Sequence, residues 1–118
     1  MHARKTGALI RASAKAGAIL AGGSEPVVAA IDDYARELGL AFQIIDDVLD
    51  VEGSSASLGK TPGKDAATGK PTYPALYGID ESRRLASACV DRAAKALARE
   101  NIGGRLAEIA AWSLTRRT

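Results

Sequence analysis

The chain has 118 residues, one domain at most, and sixteen Lys and Arg against fourteen Asp and Glu leave a net charge of +2. That balance gives no electrostatic case for nucleic acid or a membrane as partner, and no run reaches the roughly 18 uninterrupted apolar residues of a transmembrane helix. The single Cys89 allows no internal disulfide and fits a reducing cytoplasm.

The 47% apolar content overstates the core, because 24 of those residues are Ala, which favours helix and close packing but buries little area. Leu, Ile, Val and Phe make up only about a fifth of the chain, low for a self-sufficient core. Helices built to pack on others outside this sequence explain that shortage best. Charge is segregated: residues 1–24 hold four bases and no acid, and residues 25–52 hold eight acids and one base. Residues 53–79 return to +2 and residues 80–118 to +3, so the acidic segment is expected to face the basic ones, or to share a ligand with them.

Periodicity predicts helices in chain order. The first runs from about residue 3 to Ala21, with Leu9, Ala12, Ala16, Ile19 and Leu20 inward and Gly22-Gly23 as its stop. Ser24, followed by Glu25 and Pro26, is a good N-cap for the second. That helix continues through Ile31, Tyr34 and Leu38 to about Val51, about twice the usual helix length and suited to the centre of a bundle. Residues 52–72 form a long loop rich in Gly, Ser, Lys, Thr and Pro, the kind that is functional or disordered. Tyr73 to Tyr77 is a short helical turn ending at Gly78. Asp80 is the expected N-cap of a helix from Glu81 to about Glu100, with Leu85, Cys89 or Ala88, Arg92 beside Ala93, Ala96 and Leu97 inward. After a break at Asn101-Ile102-Gly103-Gly104, a last helix spans Arg105 to about Arg116 with Leu106, Ile109, Ala110 and Leu114 inward. Trp112 is expected in core or interface packing, and His2 has no partner that would make a site. With no strand signal and no internal repeat, the fold class is all-α.

Chemistry concentrates in Phe42-Gln43-Ile44-Ile45-Asp46-Asp47-Val48-Leu49-Asp50. Gln43, Asp46, Asp47 and Asp50 follow i, i+3, i+4, i+7 and share about 100° of helix surface. Leu38, Phe42, Ile45 and Leu49 form one flanking apolar stripe, and Leu40, Ile44, Val48 and Val51 form another. The acids also fall near the predicted helix C-terminus, where the macrodipole disfavours anions by about 0.3–1 kcal/mol each. Something cationic is therefore expected beside them. Asp46 and Asp50, one turn apart, suit Mg²⁺, which takes hard oxygen ligands and bridges to phosphate. The earlier Asp32-Asp33 pair has Arg36 where a third acid would be needed and is expected to be solvated surface.

In the loop, Gly59-Lys60, Gly63-Lys64 and Gly69-Lys70 set lysine beside glycine three times, a combination suited to phosphate. Gly59-Lys60-Thr61 is not the end of a P-loop, because Ser54 stands where glycine is required and no strand precedes it. A plain basic surface loop is the bland alternative.

Taken together, Lys5-Thr6-Gly7-Ala8-Leu9-Ile10, Phe42 to Asp50 preceded by Gly39, Leu58-Gly59-Lys60 and Gly69-Lys70-Pro71-Thr72-Tyr73-Pro74 resemble the trans-isoprenyl diphosphate synthases in order and spacing. The likeness is strongest to the C-terminal half of bacterial farnesyl, geranyl or geranylgeranyl diphosphate synthases. It implies an all-α isoprenoid-synthase bundle, of which residues 1–118 are the C-terminal part, with the N-terminal half absent. It further implies a cytoplasmic, Mg²⁺-dependent prenyltransferase of the geranyltranstransferase type, a homodimer at full length, that joins an allylic diphosphate to isopentenyl diphosphate. Farnesyl diphosphate is the expected product. By the same resemblance, Asp46, Asp47 and Asp50 match a second aspartate-rich motif that holds metal. Lys5, Lys60 and Lys70 match diphosphate-binding lysines, while Thr6 and Gln43 match polar residues near the developing allylic cation.

The family's first aspartate-rich motif and its isopentenyl diphosphate pocket have no counterpart in these residues, so the chain alone is expected to be inactive. The rival readings are a non-catalytic helical binding module and one half of a split enzyme. A squalene-synthase-like or terpene-cyclase-like protein is disfavoured by the Lys5-Thr6-Gly7 and Gly69-Lys70-Pro71-Thr72-Tyr73-Pro74 blocks.

Overall fold

The computed structural model describes residues 2–56 and 72–117. Among them, five helices follow in order: α1 His2–Leu20, α2 Glu25–Ala56, α3 Tyr73–Tyr77, α4 Ile79–Arg99 and α5 Leu106–Thr115. No strand occurs among the described residues, as the all-α reading requires. No helix among them is long and apolar enough to cross a membrane.

α1 and α2 form an antiparallel hairpin. Gly22 turns the chain at φ +80°, the Gly23 amide donates to the Ala18 carbonyl at 2.9 Å, and Ser24 Oγ caps α2 by accepting from the Val27 amide at 3.4 Å. The inward face of α1 differs from the sequence expectation. Ile10, Ala14 and Ala18 pack on the core, while Leu9, Ile19 and Leu20 are 67%, 59% and 87% exposed. Close approach decides this. The helices meet at Gly7 and Gly39, where a Cβ on Gly39 would lie 3.3 Å from Gly7 Cα, and Arg11 grips both carboxylate oxygens of Asp32 at 2.9 Å. A glycine contact and a bidentate ion pair thus mark the side of α1 that faces α2.

α2 is the spine, with α1 on one side and α4 on another. α4 runs antiparallel to it, as the ordered pairs Asp33 with Arg99, Glu37 with Arg92 and Glu52 with Arg83 show. Asp32 and Asp33 are therefore interhelix anchors rather than solvated surface. Between the charges, Ile31, Tyr34, Ala35 and Leu38 pack on Ala93, Ala96, Leu97 and Ala110. Further along, Ala41, Ile44 and Ile45 pack on Ala86 and Cys89. Buried alanines on both helices keep the seam close and make its apolar yield small. Cys89 is a packing residue whose thiol pKa is pushed up by burial.

Gly78, at φ +84°, ends α3 and leads directly into α4, so α4 starts at Ile79 without a side-chain cap. Asp80, the expected N-cap, instead sits in the first turn, where the helix dipole still favours an acid. At the other end, Asn101 at φ +53° and Gly104 at φ +92° reverse the chain into α5. α5 buries Ala110 and Ser113 and leaves Ile109, expected inward, about half exposed; Trp112 is also about half exposed, outside the core.

Tyr34 fastens this last helix: its hydroxyl donates to the Leu106 carbonyl at 2.6 Å. Burial pushes the phenol from its ordinary 10.0 up to about 12. A raised acid pKa means the unfolded chain loses its proton first, so this contribution is intact below pH 10 and drains away as pH rises toward 12. Tyr34→Phe should cost about 1 kcal/mol at neutral pH. Urea melts from neutral pH to about pH 12 should also show a shallower alkaline loss of stability than in the parent chain.

Candidate active site

The acid face lies on the last third of α2. This helix extends past the expected end at Val51 to Ala56, its added turn tied to α4 by the Glu52–Arg83 pair at 2.8 Å. The dipole argument for a cation therefore falls away, because Asp46 and Asp50 sit well before the final turn in which that field acts. What remains is lateral: acids on one face of a helix whose neighbouring positions Ile44, Ile45 and Val48 are fully buried.

The sequence-selected residues fare differently. Asp46 and Asp50 are exposed, and Gln43 and Asp47 are half-buried. Gln43 Nε2 donates to Asp47 Oδ1 at 2.8 Å, an i,i+4 contact along the helix. Asp47 Oδ2 accepts from the Tyr73 amide at 3.3 Å, so this carboxylate bridges α2 to the start of α3. Lys5 and Thr6 are exposed near the start of α1. Because Gly7 abuts Gly39 in an antiparallel hairpin, both lie at the end of the bundle that holds the acid face. Lys60 and Lys70 lie outside the described residues.

One participant escaped the sequence reading. The Arg116 side chain, 3% exposed, places Nη2 at 2.6 Å from Asp46 Oδ1 and donates to the Phe42 carbonyl at 2.9 Å. Its guanidinium carbon lies 3.7 Å from the centre of the Phe42 ring. Seventy residues separate Arg116 from Asp46, and no spacing rule links them. The only hint was the segment-level opposition of an acidic 25–52 and a basic 80–118.

The donor type suits a hard divalent cation. The arrangement is not a ready-made chelate: among the described residues, no group of three His, Cys, Asp or Glu side chains could hold a metal ion. It fits instead the Mg²⁺ habit of taking one or two carboxylates and leaving the other positions to water and substrate phosphate.

Comparison with known proteins now decides the family. The polyprenyl synthetase profile matches residues 1–102. The chain belongs to the polyprenyl synthetase family. It is 52% identical over 98 residues to the dimethylallyltranstransferase of Fischerella ambigua, covering 83% of this chain and 28% of that protein. To the farnesyl diphosphate synthase of Escherichia coli it is 47% identical over 98 residues, covering 82% and 33% respectively. With the chloroplastic geranylfarnesyl diphosphate synthase of Leucosceptrum canum it shares 52% identity over 86 residues, covering 73% and 24%. The chain thus spans about a quarter to a third of the length of these relatives. Within this polyprenyl synthetase segment, Phe42 to Asp50 is one continuous stretch of α2, so its acids are held by a rigid element.

The bridge through Asp47 can be tested directly. Asp47→Ala should speed hydrogen exchange at the Tyr73 amide by about tenfold while the α2 core stays protected. Asp47→Asn, which keeps an oxygen acceptor, should restore much of that protection.

Proposed function

We propose that this chain supplies the diphosphate-ionising side of a trans-prenyl diphosphate synthase. The full-length enzyme would be a cytoplasmic homodimer that condenses an allylic diphosphate with isopentenyl diphosphate, with farnesyl diphosphate as product. The observation that carries this reading is the acid face itself, Asp46 and Asp50 open on a buried-backed helix, in a chain about half identical to three named prenyl transferases or synthases. The names of those relatives differ in product, and farnesyl is the one assigned to this chain.

In this reading, Asp46 and Asp50 would hold Mg²⁺, and Asp47 keeps the face in place by tying α2 to α3. When bound there, Mg²⁺ would supply neutralisation of the charge developing on a diphosphate leaving group. Lys5, Lys60 and Lys70 add point charges to the same oxygens, so the allylic C–O bond breaks with its electron pair leaving on diphosphate. Gln43, oriented by its hydrogen bond to Asp47, and Thr6 turn dipoles toward the resulting cation. The double bond of isopentenyl diphosphate then attacks the cation, and transfer of a proton from the new cation to the released diphosphate restores a double bond and completes the product. A partner segment supplying the second substrate's pocket is required. The outward Leu9, Ile19 and Leu20 give such a segment an apolar face to cover, which also keeps the split-enzyme reading in play.

Assayed alone with both diphosphates and Mg²⁺, the chain should form no product above a metal-free control. Exchanged for the matching segment of the Escherichia coli farnesyl diphosphate synthase, it should yield an active chimera whose product length is read by chromatography. In that chimera Asp46→Ala should lower kcat roughly 100-fold or more with folding intact. A chimera that folds but stays inactive, or an Asp46→Ala variant that simply unfolds, would return the acid face to a structural role.

A further inference from the structure

Among the described residues, Arg116 is the one nearly buried charge that this mechanism leaves unused, and it lies beyond the residues 1–102 that the family profile matches. Arginines ordinarily keep their heads in water, and withdrawing one is costly unless a carboxylate and further acceptors receive it. Here the compensation is specific: Asp46 Oδ1 at 2.6 Å, the Phe42 carbonyl at 2.9 Å and the face of the Phe42 ring at 3.7 Å. Asp46 itself is not withdrawn, its side chain remaining 47% exposed. The pair is therefore asymmetric, with an open carboxylate and a cation that reaches it from the protein side.

The position has a mechanical consequence. Arg116 follows α5 immediately, with extended backbone at φ −65° and ψ 155°, and its amide donates to the Trp112 carbonyl at 3.1 Å. The guanidinium can leave Asp46 by rotation of its side chain while that backbone bond stays in place. A divalent cation and a guanidinium repel when they meet on one carboxylate, so binding of the first weakens the hold on the second.

We propose that Arg116 is an internal counter-ion that occupies Asp46 in the unloaded site and must be displaced when metal binds, coupling metal loading to movement of the Arg116 side chain off Asp46 and Phe42. The proposal rests on the reading of Asp46 as a metal ligand, and the experiment separates the two. Mn²⁺ alone, standing in for Mg²⁺, is titrated into the chain and free ion is counted by electron paramagnetic resonance. Arg116→Gln should bind Mn²⁺ about tenfold or more tightly than the parent, the size expected for losing one charge-assisted hydrogen bond. Arg116→Lys, which keeps the charge, should gain less, and adding Asp46→Asn to Arg116→Gln should abolish the gain.

Equal Mn²⁺ affinity in parent and Arg116→Gln overturns the counter-ion role and leaves Asp46 a ligand. A gain that survives Asp46→Asn, or no Mn²⁺ binding in either chain, overturns the proposal together with the ligand assignment in this chain. Should Arg116→Gln fail to fold by circular dichroism, the parent decides alone. Its Arg116 Nε resonance must shift with Mg²⁺, and Trp112, the only tryptophan, must change emission over the same range. An Arg116 resonance that stays fixed through the Mg²⁺ titration sinks the idea.

Discussion

The seam between α2 and α4 is the constraint on which the rest of the chain depends. Its apolar content is modest, because Ala35, Ala41, Ala86, Ala93 and Ala96 bury little surface each. Small side chains nevertheless let two long helices lie close along much of their length, and the ordered pairs from Asp33–Arg99 to Glu52–Arg83 fix their direction and register. Exposed ion pairs contribute little stability one by one, so their value here is positional. With α2 packed against α4, Asp46 and Asp50 in its last third remain exposed.

The acidity of α2 is mostly spent on arginines. Asp32, Asp33, Glu37, Asp46 and Glu52 each meet one, drawn from α1, from α2 itself, from α4 and from the residue just after α5. Arg11 holds the Asp32 carboxyl below its usual range, chiefly through their hydrogen bonds, so that anchor persists at neutral pH and loosens only as acid protonates it. Asp46 differs from the other four because its arginine is buried while the acid remains half open. Carboxylates that look identical in sequence can therefore differ in which partner of the ion pair is exposed.

The apolar residues left outside the fold tell a consistent story. Leu9, Ile19 and Leu20 on α1, Leu76 and Tyr77 on α3, and Trp112 on α5 are large and more than half exposed. Scattered exposed leucines are ordinary, but Ile19 and Leu20 adjoin at one helix end in a chain that is short of large apolar residues throughout. This chain covers only about a quarter to a third of its relatives' length, and surfaces of this kind are what a larger bundle would cover.

Sequence alone determined the helical class, the α2 start at Ser24, the short α3 ending at Gly78, the buried second half of α4 from Cys89 to Leu97 and the acid-bearing stretch of α2. All of these follow from local chemistry: hydrophobic period, cap residues and glycine at positive φ. It also carried the family likeness, because the four motif blocks are contiguous. Tertiary structure decided which side of α1 faces inward, since Gly7 against Gly39 and Arg11 against Asp32 are contacts between helices that no single-helix period encodes. It moved the end of α2 to Ala56 and removed the dipole argument, and it turned Asp32 and Asp33 from expected surface into anchors. Above all it brought Arg116 to Asp46, because a contact across seventy residues is set by how α4 and α5 fold back along α2.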